Sequence, residues 1–159
     1  MRDSNKKIII TGASNGIGFD LLKNFLKQSF KVLCISRNQP NIKHKNLKFI
    51  KIDLSKRNNL INKRKQIENF KSKYLICNAA DLGQINYIEN IKLKKWENSF
   101  FLNLFSHVYL TRFCIKSIKK QKGSLFFLAG GGAANSFKKF SSYSLSKSAI
   151  VRFSENLAA

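Results

Sequence analysis

The sequence predicts a doubly wound parallel α/β domain, and two observations carry that prediction. Short apolar runs alternate along the whole chain with segments whose apolar residues recur at helical spacing. This is the pattern of strands buried on both faces with helices packed over them. The first run, Ile8-Ile9-Ile10, opens directly into T-G-A-S-N-G-I-G at Thr11 to Gly18 and then into an amphipathic segment. A strand, a glycine-rich turn and a helix follow one another in this way where a dinucleotide pyrophosphate is received. A length of 159 residues suits one such domain, residues 1–159, and is short for two.

Each element follows from its residues in turn. Lys7 to Thr11 reads as the first strand, and Ile17 to Gln28 as the first helix, with Leu21, Leu22, Phe25 and Leu26 on one face. Lys31 to Ser36 is a buried second strand, closed by the loop around Pro40. Leu47 to Ile52 is a third strand ending at Asp53-Leu54, and a single polar, basic helix is expected over Lys56 to Lys71. Lys73 to Cys77 is a fourth strand, followed by the turn-like Asn78-Ala79-Ala80. A long helix is expected from Lys94 to Ile118 and a fifth strand from Ser124 to Leu128, broken by Gly130-Gly131-Gly132. The last helix begins near Ser141 or Ser142. It is still running at Ala159, because Glu155 to Ala159 contains neither the Gly nor the Pro of a helix stop.

Composition narrows the function classes. An apolar content of 43%, with 14 Phe, is that of a globular chain. No stretch approaches the roughly 18 uncharged apolar residues of a membrane span, and Arg2, Asp3, Lys6 and Lys7 do not open a signal peptide. Cys34, Cys77 and Cys114 are odd in number and embedded in apolar runs. They read as buried, reduced thiols of a cytoplasmic protein, and the absence of C-x-x-C spacing points to no metal site. The net charge is +22, from 30 Lys+Arg against 8 Asp+Glu. The lysines spread from Lys6 to Lys147 without a dominant tract, which favours a solvated basic surface over a dedicated nucleic-acid footprint. Such a field attracts anionic ligands, a dinucleotide among them.

Five groups of residues bear on chemistry. In the glycine turn, Gly12 permits a tight bend, Gly16 lets backbone approach a phosphate, and Gly18 lets the helix sit close to the strand. Ser14, Asn15 and Ile17 complete that turn, and the helix start behind it offers unpaired N–H groups to an anion. Ser36-Arg37 closes the second strand where an acidic residue would hold a ribose 2′-hydroxyl, so this pair favours NADP over NAD. The alternative is an ordinary surface arginine. Asp53, beside Leu54, either accepts from an adenine amine or forms an Asx turn. Asn78, Ala79 and Ala80 are small enough to let backbone lie against a cofactor ribose, and the same segment can also cap a helix.

The fifth group is Tyr143-Ser144-Leu145-Ser146-Lys147. Positions four apart share a helix face, so the Lys147 ammonium can lie beside the Tyr143 hydroxyl. A cation beside a phenol favours the phenolate and eases proton exchange with a carbonyl or alcohol oxygen. On an arbitrary helix the same spacing would be a surface pair.

With these residues in order, the sequence resembles the short-chain dehydrogenases/reductases of the classical type, across essentially its whole length. The matching motifs are T-G-x-x-x-G-x-G at Thr11 to Gly18, Asp53, Asn78-Ala79, Trp96 followed by Asn103, and Y-x-x-x-K at Tyr143 to Lys147. The resemblance implies a Rossmann-like NAD(P)-binding domain that transfers hydride between NADP(H), or alternatively NAD(H), and a small-molecule carbonyl or alcohol. It implies Tyr143 as catalytic acid/base, Lys147 as ribose ligand and partner of Tyr143, and Asn103 as support of a proton relay. It further implies homodimer or homotetramer contacts through the helices at Trp96 to Ile118 and Tyr143 to Ala159.

Two departures from the family pattern stand out. The family's catalytic serine, thirteen residues before the tyrosine, is Gly130 here. Losing one donor to a developing oxyanion costs about 10²–10³ in rate, unless backbone N–H groups of Gly130–Gly132 take over. Family members also continue through further strands, so the resemblance implies an incomplete domain lacking its C-terminal strands. A non-catalytic dinucleotide-binding remnant is therefore the second reading, and a nucleic-acid binder the third.

Overall fold

The computed structural model describes residues 6–159. Five strands form one parallel sheet: β1 (Lys7–Thr11), β2 (Lys31–Ser36), β3 (Leu47–Lys51), β4 (Tyr74–Cys77) and β5 (Ser124–Phe127), in the spatial order β3-β2-β1-β4-β5. The order reverses direction at β1, whose neighbours are β2 and β4. In doubly wound sheets the crevice at such a switch point, beyond the carboxyl ends of the strands, is where ligands bind.

Period-two alternation divides the strand residues between two cores. Ile9, Leu33, Ile35, Leu75 and Cys77 face one side, packed with Leu60, Ile67, Leu110, Cys114 and Ile118. Ile8, Ile10, Val32, Cys34 and Ile76 face the other, packed with Leu22 and Leu26. Because both faces are buried, the strands read as continuous apolar runs. The helices over them are α1 (Gly16–Lys27), α2 (Arg57–Asn62), α3 (Arg64–Asn69), α4 (Leu93–Phe100), α5 (Ser106–Lys120) and α6 (Ser141–Ala158). The doubly wound parallel architecture expected from the sequence is the one found.

Two expected helices differ in detail. The segment expected as one helix over Lys56 to Lys71 is two, broken at Lys63 (φ −99°, ψ 3°), whose N–H donates to the Leu60 carbonyl. Asn58, Asn59 and Asn62 lower helix propensity there, while Leu60 and Ile67 remain buried on one side. The long central helix is interrupted by a π-helical turn at Phe101–Phe105 that joins α4 to α5. This turn carries Asn103, which is fully buried. Wider turns of this kind recur at functional sites.

Candidate active site

At the switch point, β1 runs into the glycine turn. Gly12 has φ +66°, and a Cβ there would stand 2.9 Å from the Ala79 Cα, so this turn demands glycine on both conformational and steric grounds. Gly18 is the packing glycine: a Cβ would lie 2.5 Å from the Gly12 carbonyl oxygen and 2.6 Å from Asn78 Nδ2. Gly16 (φ +55°) opens onto free space, with nothing within 4 Å of a Cβ. Asn15 is the N-cap residue of α1 but makes no side-chain cap bond, and the first turn contains no acidic residue. The positive end of the helix therefore faces the crevice without an internal counter-charge.

Thr11, assigned no role of its own from sequence, joins β1 to β4. Its buried hydroxyl accepts hydrogen bonds from the Asn78 and Ala79 N–H groups at 3.0 Å each. Asn78 Nδ2 donates back to the carbonyls of Thr11 (2.9 Å) and Gly12 (3.2 Å). Asn78 is thus a brace for the glycine turn. It is no helix cap, since the next α-helix begins only at Leu93.

The remaining expected cofactor residues gather around the same cleft, of about 320 Å³. Gly12, Ser14, Asn15, Gly16, Ile17 and Gly18 form one wall. Ser36, Arg37, Asp53 and Leu54 lie toward β2 and β3, and Asn78, Ala79 and Ala80 toward β4. Arg37 is exposed, whereas Ser36 is buried and its hydroxyl donates to the Asn38 carbonyl at 2.7 Å, closing its own turn. Asp53 Oδ1 accepts from the Ser55 N–H (3.0 Å) and hydroxyl (2.7 Å), the Asx-turn alternative. Ile17 is 67% exposed, an apolar side chain left uncovered beside the cleft.

The three expected catalytic residues lie beyond the β4 and β5 ends. Lys147 is buried, and its Nζ donates to the Leu128 carbonyl at 2.6 Å while standing 5.8 Å from the Tyr143 ring centroid. Burial holds the Lys147 ammonium below the usual lysine range. Tyr143 is half-buried, with its hydroxyl directed at Gly130. Asn103 spends its side chain on structure. Its Oδ1 accepts the Asp81 N–H at 2.9 Å, and its Nδ2 donates to the Asp81 carbonyl (2.8 Å) and Ser146 Oγ (3.1 Å). The π-turn residue thereby ties the segment after Ala80 to the helix that carries Tyr143. Two further contacts fix this corner: Trp96 Nε1 donates to Ser141 Oγ at 2.9 Å, and Ser99 Oγ donates to Asp81 Oδ1.

Sequence reasoning missed His107. It lies four residues after Asn103, 1% exposed, with neither ring nitrogen hydrogen-bonded. Burial first, and then the Lys147 charge, push its pKa down to about 3, although backbone groups of Ala79 and Asn103 work the other way. At neutral pH it is an uncharged ring close to Lys147. The cysteines are free and buried, as expected, and burial raises all three thiols, Cys114 to about 12. No helix among the described residues is long and apolar enough to cross a membrane.

Comparison with known proteins agrees with this arrangement. The short chain dehydrogenase family profile matches residues 6–159. A benzil reductase ((S)-benzoin forming) of Saccharomyces cerevisiae is 26% identical over 174 aligned positions, covering 97% of this chain and 65% of that protein. The 3-oxoacyl-[acyl-carrier-protein] reductase of Buchnera aphidicola from Acyrthosiphon pisum is 27% identical, covering 99% of this chain and 68% of that protein. The chain thus spans about two thirds of the length of these relatives. Among solved structures, 4-hydroxyisoleucine dehydrogenase complexed with NADH superposes with a TM-score of 0.87 at 27% identity, over 97% of this chain and 68% of that one. On its sheet order, its glycine turn and the match over residues 6–159, the chain belongs to the short-chain dehydrogenase/reductase family of oxidoreductases.

Proposed function

We propose that this chain binds NADP(H), with NAD(H) as the alternative, and transfers hydride between it and a small-molecule carbonyl or alcohol in the cytoplasm. The observation that carries the reading is the cleft itself. The glycine turn, Arg37, Asp53 and the Asn78–Ala80 segment, far apart in sequence, converge on one crevice at the sheet's switch point. A dinucleotide fits its chemistry. Backbone at Gly16 faces open space where a Cβ would otherwise intrude, the α1 N-terminus points there without an acidic residue, and the +22 field favours a polyanion. Exposed Arg37, with no acidic residue at the end of β2, supports the 2′-phosphorylated form.

When bound, the nicotinamide would supply or accept the hydride. Tyr143 gives a proton to the substrate oxygen during reduction and takes it back during oxidation. Lys147, anchored on the Leu128 carbonyl, places a cation on the same helix face as that hydroxyl and binds the cofactor ribose. Asn103 holds the segment after Ala80 against α6 and keeps Tyr143 in register with the cleft. The relatives' printed names, a benzil reductase and an oxoacyl reductase, support a carbonyl as substrate. In solution the chain is expected as a homodimer or homotetramer.

The decisive experiment is NADPH oxidation by the purified chain on a carbonyl panel, repeated with Tyr143→Phe. Turnover that vanishes in the variant supports the reading, and turnover that survives removes Tyr143 from its role. The second reading, a dinucleotide-binding remnant without catalysis, rests on Gly130 and predicts cofactor binding with no turnover.

A further inference from the structure

β3 ends on a lysine that stands in register with the last residue of β2. Lys51 pairs with Ser36 across the parallel ladder, and the Ile52 N–H donates to the Ser36 carbonyl at 3.0 Å. The backbone at Lys51 is thereby fixed beside the residue that precedes Arg37. Side chains alternate along a strand. Leu47 and Phe49, at two-residue steps before Lys51, pack on the core that includes Val32, Cys34 and Leu22. Lys51 therefore belongs to the α1 face of the sheet, at its carboxyl edge.

There Arg37 and Lys51 line one cavity of about 480 Å³, together with Asn38, Asp53 and Asn59. Arg37, Asn38 and Asp53 are also walls of the dinucleotide cleft, so the cavity adjoins that cleft. Both cations are exposed, and neither makes an ion pair or side-chain hydrogen bond among the described residues. A carboxylate is at hand and does not neutralise them, because Asp53 Oδ1 accepts from the Ser55 N–H and hydroxyl instead. Two uncompensated cations against one carboxylate leave the cavity net positive, which favours an anion.

Asp53 also repels any phosphate that enters, and Arg37 alone would only balance it. Resting on the dinucleotide binding proposed above, we propose that Lys51 is a second specificity-determining residue for the cofactor, closing with Arg37 on the 2′-phosphate of NADP(H) in this side cavity. Arg37 offers a planar fork and Lys51 a compact charge with rotatable donors, so the two suit different oxygens of one phosphoryl group. The 2′-hydroxyl of NAD(H) carries no charge and gains little from either. Sequence reasoning passed over Lys51 because it lies on another strand and reads as one more surface lysine.

The test uses the whole chain and two sets of ligands. NADPH and NADH are titrated by fluorescence. Adenosine 2′,5′-bisphosphate and adenosine 5′-monophosphate, which differ by the 2′-phosphate alone, are titrated by calorimetry. The chains compared are the unmodified protein, Lys51→Met, Lys51→Arg and the control Lys48→Met, an exposed lysine on the same strand whose neighbour in the alternation, Ile50, packs on the other core.

Lys51→Met is expected to weaken NADPH and the bisphosphate by about tenfold while NADH and the monophosphate stay within about twofold. Lys51→Arg, which keeps the charge, should stay within about threefold of the unmodified chain for every ligand, and Lys48→Met should change none of them. Adding Arg37→Ala to Lys51→Met should make NADPH and NADH bind about equally. Unchanged NADPH affinity in Lys51→Met would overturn the proposal and return Lys51 to the solvated surface. An equal loss for NADPH and NADH, or a loss as large in Lys48→Met, would mark a general field effect and overturn it as well. NADH bound as tightly as NADPH by the unmodified chain overturns it while leaving the dinucleotide cleft intact. Absence of binding by either dinucleotide removes both.

Discussion

His107 makes the stability of this fold sensitive to acid in a way that isolates one residue. In the unfolded chain its imidazole protonates at the ordinary value of 6.5, whereas in the folded chain it resists protonation until about pH 3. The folded state therefore binds fewer protons across that interval. Its advantage is intact above pH 6.5 and is lost as pH falls toward 3. A shift of 3.5 units at about 1.4 kcal/mol each amounts to about 5 kcal/mol over the whole window. At pH 4.5 the part already lost is about 2.7 kcal/mol, a large share of a typical domain's stability.

His107→Leu removes the titration and leaves no orphaned ring nitrogen, so its stability at pH 7 should differ little from that of the parent chain. Urea unfolding of both chains at pH 7 and pH 4.5 isolates the effect, because the other titrating groups are common to the two. The parent should lose about 2.5 kcal/mol more than the variant between these values. Equal losses would show that the ring is hydrated or hydrogen-bonded in solution, and would refute the reasoning.

Three further outcomes are expected. Thr11→Val keeps the shape but strips the acceptor from the Asn78 and Ala79 N–H groups, at a cost of about 2 kcal/mol and a fall in Tm of about 4–8 °C by calorimetry. Gly18→Ala would ordinarily stabilise a helix by about 1 kcal/mol. Here the Cβ meets the Gly12 carbonyl at 2.5 Å, so a Tm lowered by about 2–12 °C is expected. A raised Tm would contradict the packing described. Arg37→Ala should weaken NADPH binding by roughly 10–100-fold while leaving NADH nearly unchanged, as read from paired titrations.

Much of this fold was legible because local chemistry dictated it. Ile8-Ile9-Ile10 and Val32 to Ile35 admit few other readings than buried strands, and the spacing of Gly12, Gly16 and Gly18 carries its own turn geometry. Asp53 left two readings open in the sequence, and its hydrogen bonds to Ser55 show the Asx turn. What escaped was whatever depends on partners distant in sequence or on backbone registry. The π turn at Phe101–Phe105 changes which carbonyl each N–H meets without altering the apolar pattern. The Thr11 hydroxyl finds its donors 67 and 68 residues away. His107 reads as one more helix residue until Lys147 is seen beside it, and Gly130 reads as a vacancy until the Tyr143 hydroxyl is seen in its place.

The assignment that everything else depends on is the dinucleotide cleft, and calorimetric titration of the chain with NADPH tests it most directly. Binding at one site per chain with micromolar affinity is expected, and it should be lost in Gly16→Val. That variant adds bulk where the protein itself has nothing within 4 Å but where the pyrophosphate would lie, and because Gly16 is left-handed (φ +55°) its fold is checked by circular dichroism before the titration. No saturable heat with the unmodified chain, or equal affinity in Gly16→Val, would contradict it.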